Sequence, residues 1–417
     1  MSVLAAYLNK HALYPPFVNC FPAHNLNAVV VIPCYNEPNV VSTLQSIYNC
    51  NDTEQHVEVL LIINQSENDS IEVKANNQKT YNEVVEWISI HKKNNLSFFI
   101  IKPPDFPVKH AGVGLARKVG MDEAVRRFDM LNNSKGVIVG YDADCLCELN
   151  YLTEIENKYK AEKSLIGTSI YFEHPILGSD YSIEIYNAIY QYELYLRYYL
   201  QALRYCGYPF AYHTVGSSFS VNVLEYCRQG GMNKRKAGED FYFLSKIIPN
   251  GNYAEINTTC VYPSPRKSNR VPFGTGAEII KIVDGNINDY ETYAFEAFND
   301  LKDFFVLCNK FYEEELSKNS QLLNIIPKPV FSFLEQIDFI KTINEIKSNT
   351  SNYQNFKDRF FRSFNAFTIL KFLNYSHTKF YSYYSVTSQA QLLLNFINIK
   401  YTSNILELYR GLEKNVD

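Results

Sequence analysis

"GVIVGYDADCLCEL", residues 136–149, places a short apolar run directly before two aspartates and two cysteines. An uninterrupted β-branched run of this length reads as a strand buried on both faces. The acids then fall at the carboxyl end of that strand, which is where open α/β sheets bind ligands. Carboxylates at i and i+2 there can turn oxygens toward a hard cation, which takes the rest of its shell from phosphate and water. A turn held by Asx hydrogen bonds accounts for Asp142 and Asp144 equally well without a metal. Cys145 and Cys147 lack the second cysteine pair of a thiolate site and read as apolar packing.

The same pattern repeats on both sides. AVVVIP (28–33), VEVLLII (57–63), LSFFII (96–101) and LIGTSIYF (165–172) are further strand candidates. Helical spacing separates them at 40–50, 81–93 and 111–128, where Leu115, Val119, Val125 and Phe128 share a face. Alternating strands and helices predict an α/β fold with a mostly parallel central sheet flanked by helices. A long helix is expected over 179–207, closed by Gly207 and Pro209, and a strand running into a short helix over 213–231. AGEDFYFLSKI (237–247) is helical, 252–276 reads as irregular, and from about 285 the pattern is mainly helical. The division expected is an N-terminal extension (1–26), an α/β catalytic domain (27–284) and a helical C-terminal region (285–417).

The 417 residues are 46% hydrophobic and 20% charged, with a net charge of −4, so no global charge draws the chain to nucleic acid. Nine cysteines, an odd number, argue against a disulfide framework and for a reducing, cytoplasmic setting. The opening MSVLAAYLNKHALYPPF has no basic segment leading into a long apolar one, and no run approaches bilayer length. Contact with the inner membrane surface stays open, through RFFRSFNAFTILKFLNYSHTKFYSYYS (359–385), which interleaves cations with aromatics. A helical bundle or a homo-oligomer contact is the plainer reading of that stretch.

Two more motifs carry chemistry. In PCYNE (33–37), Tyr35 could stack on a planar base, and Asn36 and Glu37 could bond a base or ribose hydroxyl; alone it is a turn before a helix. In AGEDF, Glu239 and Asp240 open a helix, where carboxylates are electrostatically favoured. A carboxylate there can also serve as a general base toward a sugar hydroxyl.

VVVIPCYNE, ARKVGMDEA, GYDADC and AGEDFYFL, in this order, resemble glycosyltransferase family 2, with the GT-A fold, over about residues 27–265. The resemblance implies a hexosyltransferase-type enzyme, moving a sugar with inversion from a nucleotide diphosphate sugar to an acceptor hydroxyl. The acceptor could be a saccharide, a lipid-linked molecule or a small molecule. It implies Mn²⁺ or Mg²⁺ held by Asp144 and Asp142, with Asp240, beside Glu239, as the base. Donor contacts fall to Pro33, Tyr35, Glu37, Asn64, Arg117, Asp142 and Arg270, and the acceptor side to His213, Ser217 and Ser218. Arg266, Lys267 and Arg270 lie in SPRKSNRVPFGTG (264–276), expected as a cationic lid, with a solvated loop as the alternative. His213 could instead be a strand-end histidine satisfied by backbone. Lys109 and Lys118, flanking His110 and Arg117, are expected on a solvated helix face.

One departure stands out. After the second strand such enzymes carry an acidic pair for the base, whereas LLIINQSEN puts Asn64 and Gln65 there, with Glu67 and Asp69 beyond. Three other readings remain: a retaining GT-A-type transferase on a small acceptor, a nucleotidyltransferase, and a non-catalytic sugar-nucleotide-binding scaffold.

Overall fold

A computed structural model describes residues 1–270, 274–400 and 404–414. The chain divides into two compact units. The first comprises Met1–Ile189, His213–Gly285 and the stretch beginning at Glu413; the second comprises Tyr190–Tyr212 and Asn286–Leu412.

In the first unit the chain runs through α1 (Val3–His11), β1 (Leu26–Cys34), α2 (Val40–Tyr48), β2 (His56–Ile63), α3 (Ile71–Ile90) and β3 (Leu96–Ile101). It continues through α4 (Val113–Met130), β4 (Val137–Gly140), β5 (Cys145–Cys147), α5 (Tyr151–Ala161) and β6 (Leu165–Phe172). Helix α6 (Ile183–Tyr205) carries it into the second unit. On its return come β7 (Phe219–Asn222), α7 (Val223–Arg228), α8 (Glu239–Ile247), β8 (Asn252–Pro263) and α9 (Thr275–Asp284).

Eight strands form one sheet in the order β3-β2-β1-β4-β7-β6-β8-β5. The pairs β3/β2, β2/β1, β1/β4 and β6/β8 are parallel, while β7 runs antiparallel to both its neighbours and β5 to β8. The α/β fold with a mostly parallel, helix-flanked sheet is therefore present. Strand order reverses between β1 and β4: from β1 the chain builds outward to β3, then returns to the other side. That reversal opens a crevice beyond the carboxyl ends of β1 and β4, and the PCYNE and YDAD turns lie there.

Two expectations need correction. Residues 252–263 are a twelve-residue strand, not irregular chain. Asn, Glu and Thr dilute its apolar alternation, and pairing with β6 and β5 decides its conformation. Helix α3 starts ten residues before the expected position: Ser70 caps it by accepting from the Val73 N–H, and Asn77 and Thr80 supply its first buried turns. Polar residues on the buried face hid the period.

Helix α4 is buried almost all round, so its charges must be paired. Lys118, expected on a solvated face, is buried, 2.9 Å from Asp122, which also accepts from the Tyr7 hydroxyl of α1 at 2.7 Å. Glu123 accepts from the Phe17 and Val18 N–H groups at 3.2 and 3.0 Å. Arg127 donates from Nε to Glu58 at 2.8 Å and from Nη2 at 2.5 Å, and also to the Cys20 carbonyl. Glu58 lies in β2, all eight residues of which are buried.

The second unit holds the rest of α6 with a two-stranded pairing of β9 (Glu291–Thr292) and β10 (Tyr384–Ser385). Its helices are α10 (Phe295–Val306), α11 (Cys308–Glu313), α12 (Lys328–Leu334), α13 (Phe339–Ser348), α14 (Tyr353–Ser363), α15 (Ala366–Lys379), α16 (Val386–Phe396) and most of α17 (Ile405–Lys414). Phe304 of α10 meets Phe311, Phe339, Phe360 and Phe364 with ring centroids 5.2–5.8 Å apart. Phe360, Phe361, Phe364 and Phe372 of the cation–aromatic stretch are thus core residues of this unit. Among the described residues no helix is long and apolar enough to cross a membrane.

Glu58→Ala leaves the Arg127 guanidinium buried without its carboxylate. The expected cost is about 3–5 kcal/mol, read from the midpoint of urea unfolding; a loss under about 1 kcal/mol would show that the pair is not a structural anchor.

Candidate functional site

The crevice is lined by the chain leaving β1 and β4. Beyond β1, Glu37 is buried at 3% exposure; beyond β4, the Asp142 and Asp144 side chains keep 36% and 29%. Helix α2 holds the second turn, its Thr43 hydroxyl donating to the Ala143 carbonyl at 2.9 Å.

Arg117, on the first turns of α4, reaches under this turn. Its guanidinium is fully buried. Nη2 pairs with Asp142 Oδ1, Nη1 donates to the Gly216 carbonyl at 2.7 Å, and Nε lies 3.4 Å from Glu239 Oε1. Two glycines make this convergence fit. A Cβ at Gly114 would stand 2.3 Å from the Arg235 carbonyl oxygen and 3.0 Å from the Glu239 Cβ, so only glycine lets the 235–239 segment lie on α4. A Cβ at Gly216 would stand 2.3 Å from Arg117 Nη1. Arg117, expected as a donor contact, thus has its nitrogens turned to protein groups.

Asp240 follows at the start of α8, half-buried, accepting the Phe241 N–H at 2.7 Å. Burial pushes the Glu239 carboxyl up to about 7 against the pull of Arg117, with Asp240 and Asp142 adding repulsion. Burial also raises Asp240 and Asp142, Arg117 again opposing.

A basic loop closes over both turns. Arg266 donates to Asp144 Oδ2 from Nε at 2.9 Å and from Nη2 at 2.7 Å, and also to Glu37; Arg270 donates to Glu37 at 2.6 Å. Lys267 turns to Asp284 instead. Val271, Pro272 and Phe273 of this loop lie outside the described residues. Around the crevice Glu37, Asp142, Asp144, Glu239 and Asp240 thus face Arg117, Arg266 and Arg270. Among the described residues no three His, Cys, Asp or Glu side chains converge as a ready metal cage. Asp142 Oδ2 and Asp144 Oδ1 accept no protein hydrogen bond among the described residues. Two free carboxylate oxygens and an excess of negative charge fit an ion that completes its shell with phosphate and water.

On the β2 side, the Tyr35 hydroxyl donates to Asp69 Oδ1 at 2.9 Å, and Ser66 N–H to Oδ2 at 2.7 Å. Asn64 and Gln65 are buried; the Asn77 amide donates to the Asn64 carbonyl at 3.3 Å and to Gln65 Oε1 at 3.2 Å. Gln65 in turn donates to Asp105 at 2.7 Å, and Lys74 pairs with the same carboxylate at 2.8 Å. The Lys74 bond holds Asp105 below its ordinary carboxylate value. Asp105 escaped the sequence reading; its only signal was its place after β3, beyond Pro103-Pro104.

The remaining expected residues are dispersed. Pro33 is buried within β1, paired with Ile62. His213, expected on the acceptor side or else satisfied by backbone, has its Nε2 3.1 Å from the Glu413 carboxylate, 200 positions away. Ser217 and Ser218 are buried, their hydroxyls 3.2 Å apart. Lys109 is exposed.

No family model matches the chain, and no curated protein matches it in sequence. Among solved structures, residues 1–349 of S. aureus TarS in complex with UDP-GlcNAc align at 11% identity and a TM-score of 0.41, covering 81% of this chain and 92% of that one. The mannosyltransferase PcManGT from Pyrobaculum calidifontis, in complex with GDP-Man and Mn²⁺, aligns at 12% identity and a TM-score of 0.34, covering 99% and 92%.

The raised Glu239 value has a sign that stability measurements can read. The folded chain keeps this proton between about 4.5 and about 7, where the unfolded chain has lost it. The site's contribution is therefore fullest below that window and falls as pH rises through it. Urea midpoints taken without metal across pH 4.5–7 should decline less in Glu239→Gln than in the wild-type protein; parallel profiles would mean Glu239 titrates normally.

Proposed function

We propose that the chain is an inverting, divalent-metal-dependent glycosyltransferase of the family 2 type with a GT-A fold. It would move a hexose from a nucleotide diphosphate sugar to an acceptor hydroxyl. One observation carries this reading: a single buried guanidinium, Arg117, ties the Asp-Ala-Asp turn to the helix start bearing Glu239 and Asp240. A phosphate-side group and a base-side group are thereby held at fixed separation, as a displacement with attacking and leaving oxygens on opposite faces of a sugar requires.

Asp144, with Asp142, would hold Mn²⁺ or Mg²⁺ against the diphosphate. The bound ion supplies the positive charge that a departing nucleoside diphosphate needs. Asp240 takes the proton of the acceptor hydroxyl; its raised proton affinity suits a base better than an ordinary aspartate. Glu239 serves by its pairing with Arg117, which fixes the start of α8. Arg266 and Arg270, on a loop already seated over Glu37 and Asp144, offer planar donors for phosphate oxygens. Tyr35 and Asp69 form a polar edge for the base where Asn64 and Gln65 do not.

Asp240→Asn should lower transfer by roughly 10²–10⁴-fold while nucleotide binding, followed by calorimetry with Mn²⁺, is kept; full activity would remove Asp240 as the base. Asp144→Ala should weaken binding with Mn²⁺ and leave binding in chelator unchanged. Proton NMR of the product's anomeric configuration decides inversion against retention. No turnover and no nucleotide binding across a panel of UDP and GDP sugars would overturn the transferase reading itself.

A further inference from the structure

The two cysteines set aside as packing have a feature that packing does not need. Cys147 ends β5, three residues beyond Asp144, and Cys50 lies just past α2. All nine cysteines are free, and these two sulphurs stand 3.7 Å apart, in van der Waals contact. Ser46 brackets Cys147: its hydroxyl accepts the Cys147 N–H at 2.9 Å and lies 3.6 Å from the sulphur. Tyr141 and Tyr151 are fully buried and both lie within electrostatic reach of Cys147; the Tyr151 hydroxyl makes no hydrogen bond among the described residues. Cys147 is also partly exposed, whereas Cys50 is buried.

We propose that Cys50 and Cys147 are an oxidative modification site, a dithiol that hydrogen peroxide converts to a disulfide clamping α2 to β5. The Cys147 thiolate attacks one peroxide oxygen, the O–O bond breaks, and the departing hydroxide takes up a proton to leave as water, giving a sulfenic acid. The Cys50 sulphur then attacks the Cys147 sulphur; the S–S bond forms, the S–O bond breaks, and the hydroxyl leaves with the Cys50 proton as a second water. Two thiols are oxidised by two electrons and one peroxide is reduced. The sulphurs close by roughly 1.6 Å to reach a bonded distance, a short path for side chains already in contact. Hydrogen bonds from Cys50 and Ser46, opposed by burial, hold the Cys147 thiol below its ordinary value, which favours it as the attacked residue. The clamp bears on the Asp-Ala-Asp turn, because α2 also holds that turn through Thr43.

The test uses the full chain, treated with hydrogen peroxide, alkylated, digested and mapped by mass spectrometry. The expected result is a linked Cys50–Cys147 peptide pair, lighter by two hydrogens and restored by dithiothreitol. Hydrogen exchange should slow over 43–50 and 142–147 in the oxidised chain and recover on reduction. In Cys50→Ser the linked pair is lost, and Cys147 is trapped by dimedone as a sulfenic acid. Recovery of both residues as alkylated thiols, at peroxide levels that oxidise exposed Cys20, would overturn the proposal. So would exchange over those segments that oxidation leaves unchanged. Neither readout depends on whether the chain transfers a sugar.

Discussion

A guanidinium with no access to water must find its counter-charge inside the protein, and Arg117 finds it in two places far apart in sequence. Asp142 comes from the end of β4 and Glu239 from the start of α8, while the Gly216 carbonyl takes a third nitrogen. Removing one partner of such a set strands a buried charge, so the three segments are constrained as one. Gly114 and Gly216 exist in this arrangement because a methyl group at either would strike it. The site's geometry is thus a consequence of charge neutralisation in the core as much as of any ligand.

The same economy explains α4 as a whole. A helix buried on nearly every side would ordinarily be apolar, yet this one carries Arg117, Lys118, Asp122, Glu123 and Arg127. Lys118 and Asp122 answer each other and share the Tyr7 hydroxyl of α1, while Arg117 meets the crevice turns, Glu123 the backbone at Phe17 and Val18, and Arg127 β2. The N-terminal segment is therefore fastened to the sheet through α4. On the open side the balance differs. Asp144 and Glu37 are matched by Arg266 and Arg270 on a loop, not by the core; Glu37 is buried, while Asp144 and the two arginines keep part of their side chains in water.

Much of this was legible in the residues. The strands at 57–63, 96–101 and 165–172 follow from apolar runs that only a sheet covered on both faces can use. The acidic turn after β4 and the acidic helix start at 239 follow from where carboxylates are tolerated. What spacing could not give is pairing. Lys118 looks like any cation on a helix until α1 is seen to cover it, and His213 gives no sign of Glu413. Strand β8 was hidden because its conformation is decided by neighbours on both edges rather than by its own alternation.

The Asn64–Gln65 departure shows how a local pattern can mislead about a site. Amides in place of carboxylates suggest a lost binding edge. In the structure they are buried and bound to Asn77, which also accepts the Asn36 N–H at 2.9 Å and so fixes the PCYNE turn. A carboxylate at 64 or 65 would have to be buried there, facing amide and carbonyl groups, with Lys74 already committed to Asp105. The carboxylates of this corner stand further out, Asp69 against the Tyr35 hydroxyl and Asp105, beyond β3, against Gln65. The amides thus brace the turn from inside, and the corner's carboxylates lie where a cation or a hydroxyl can meet them.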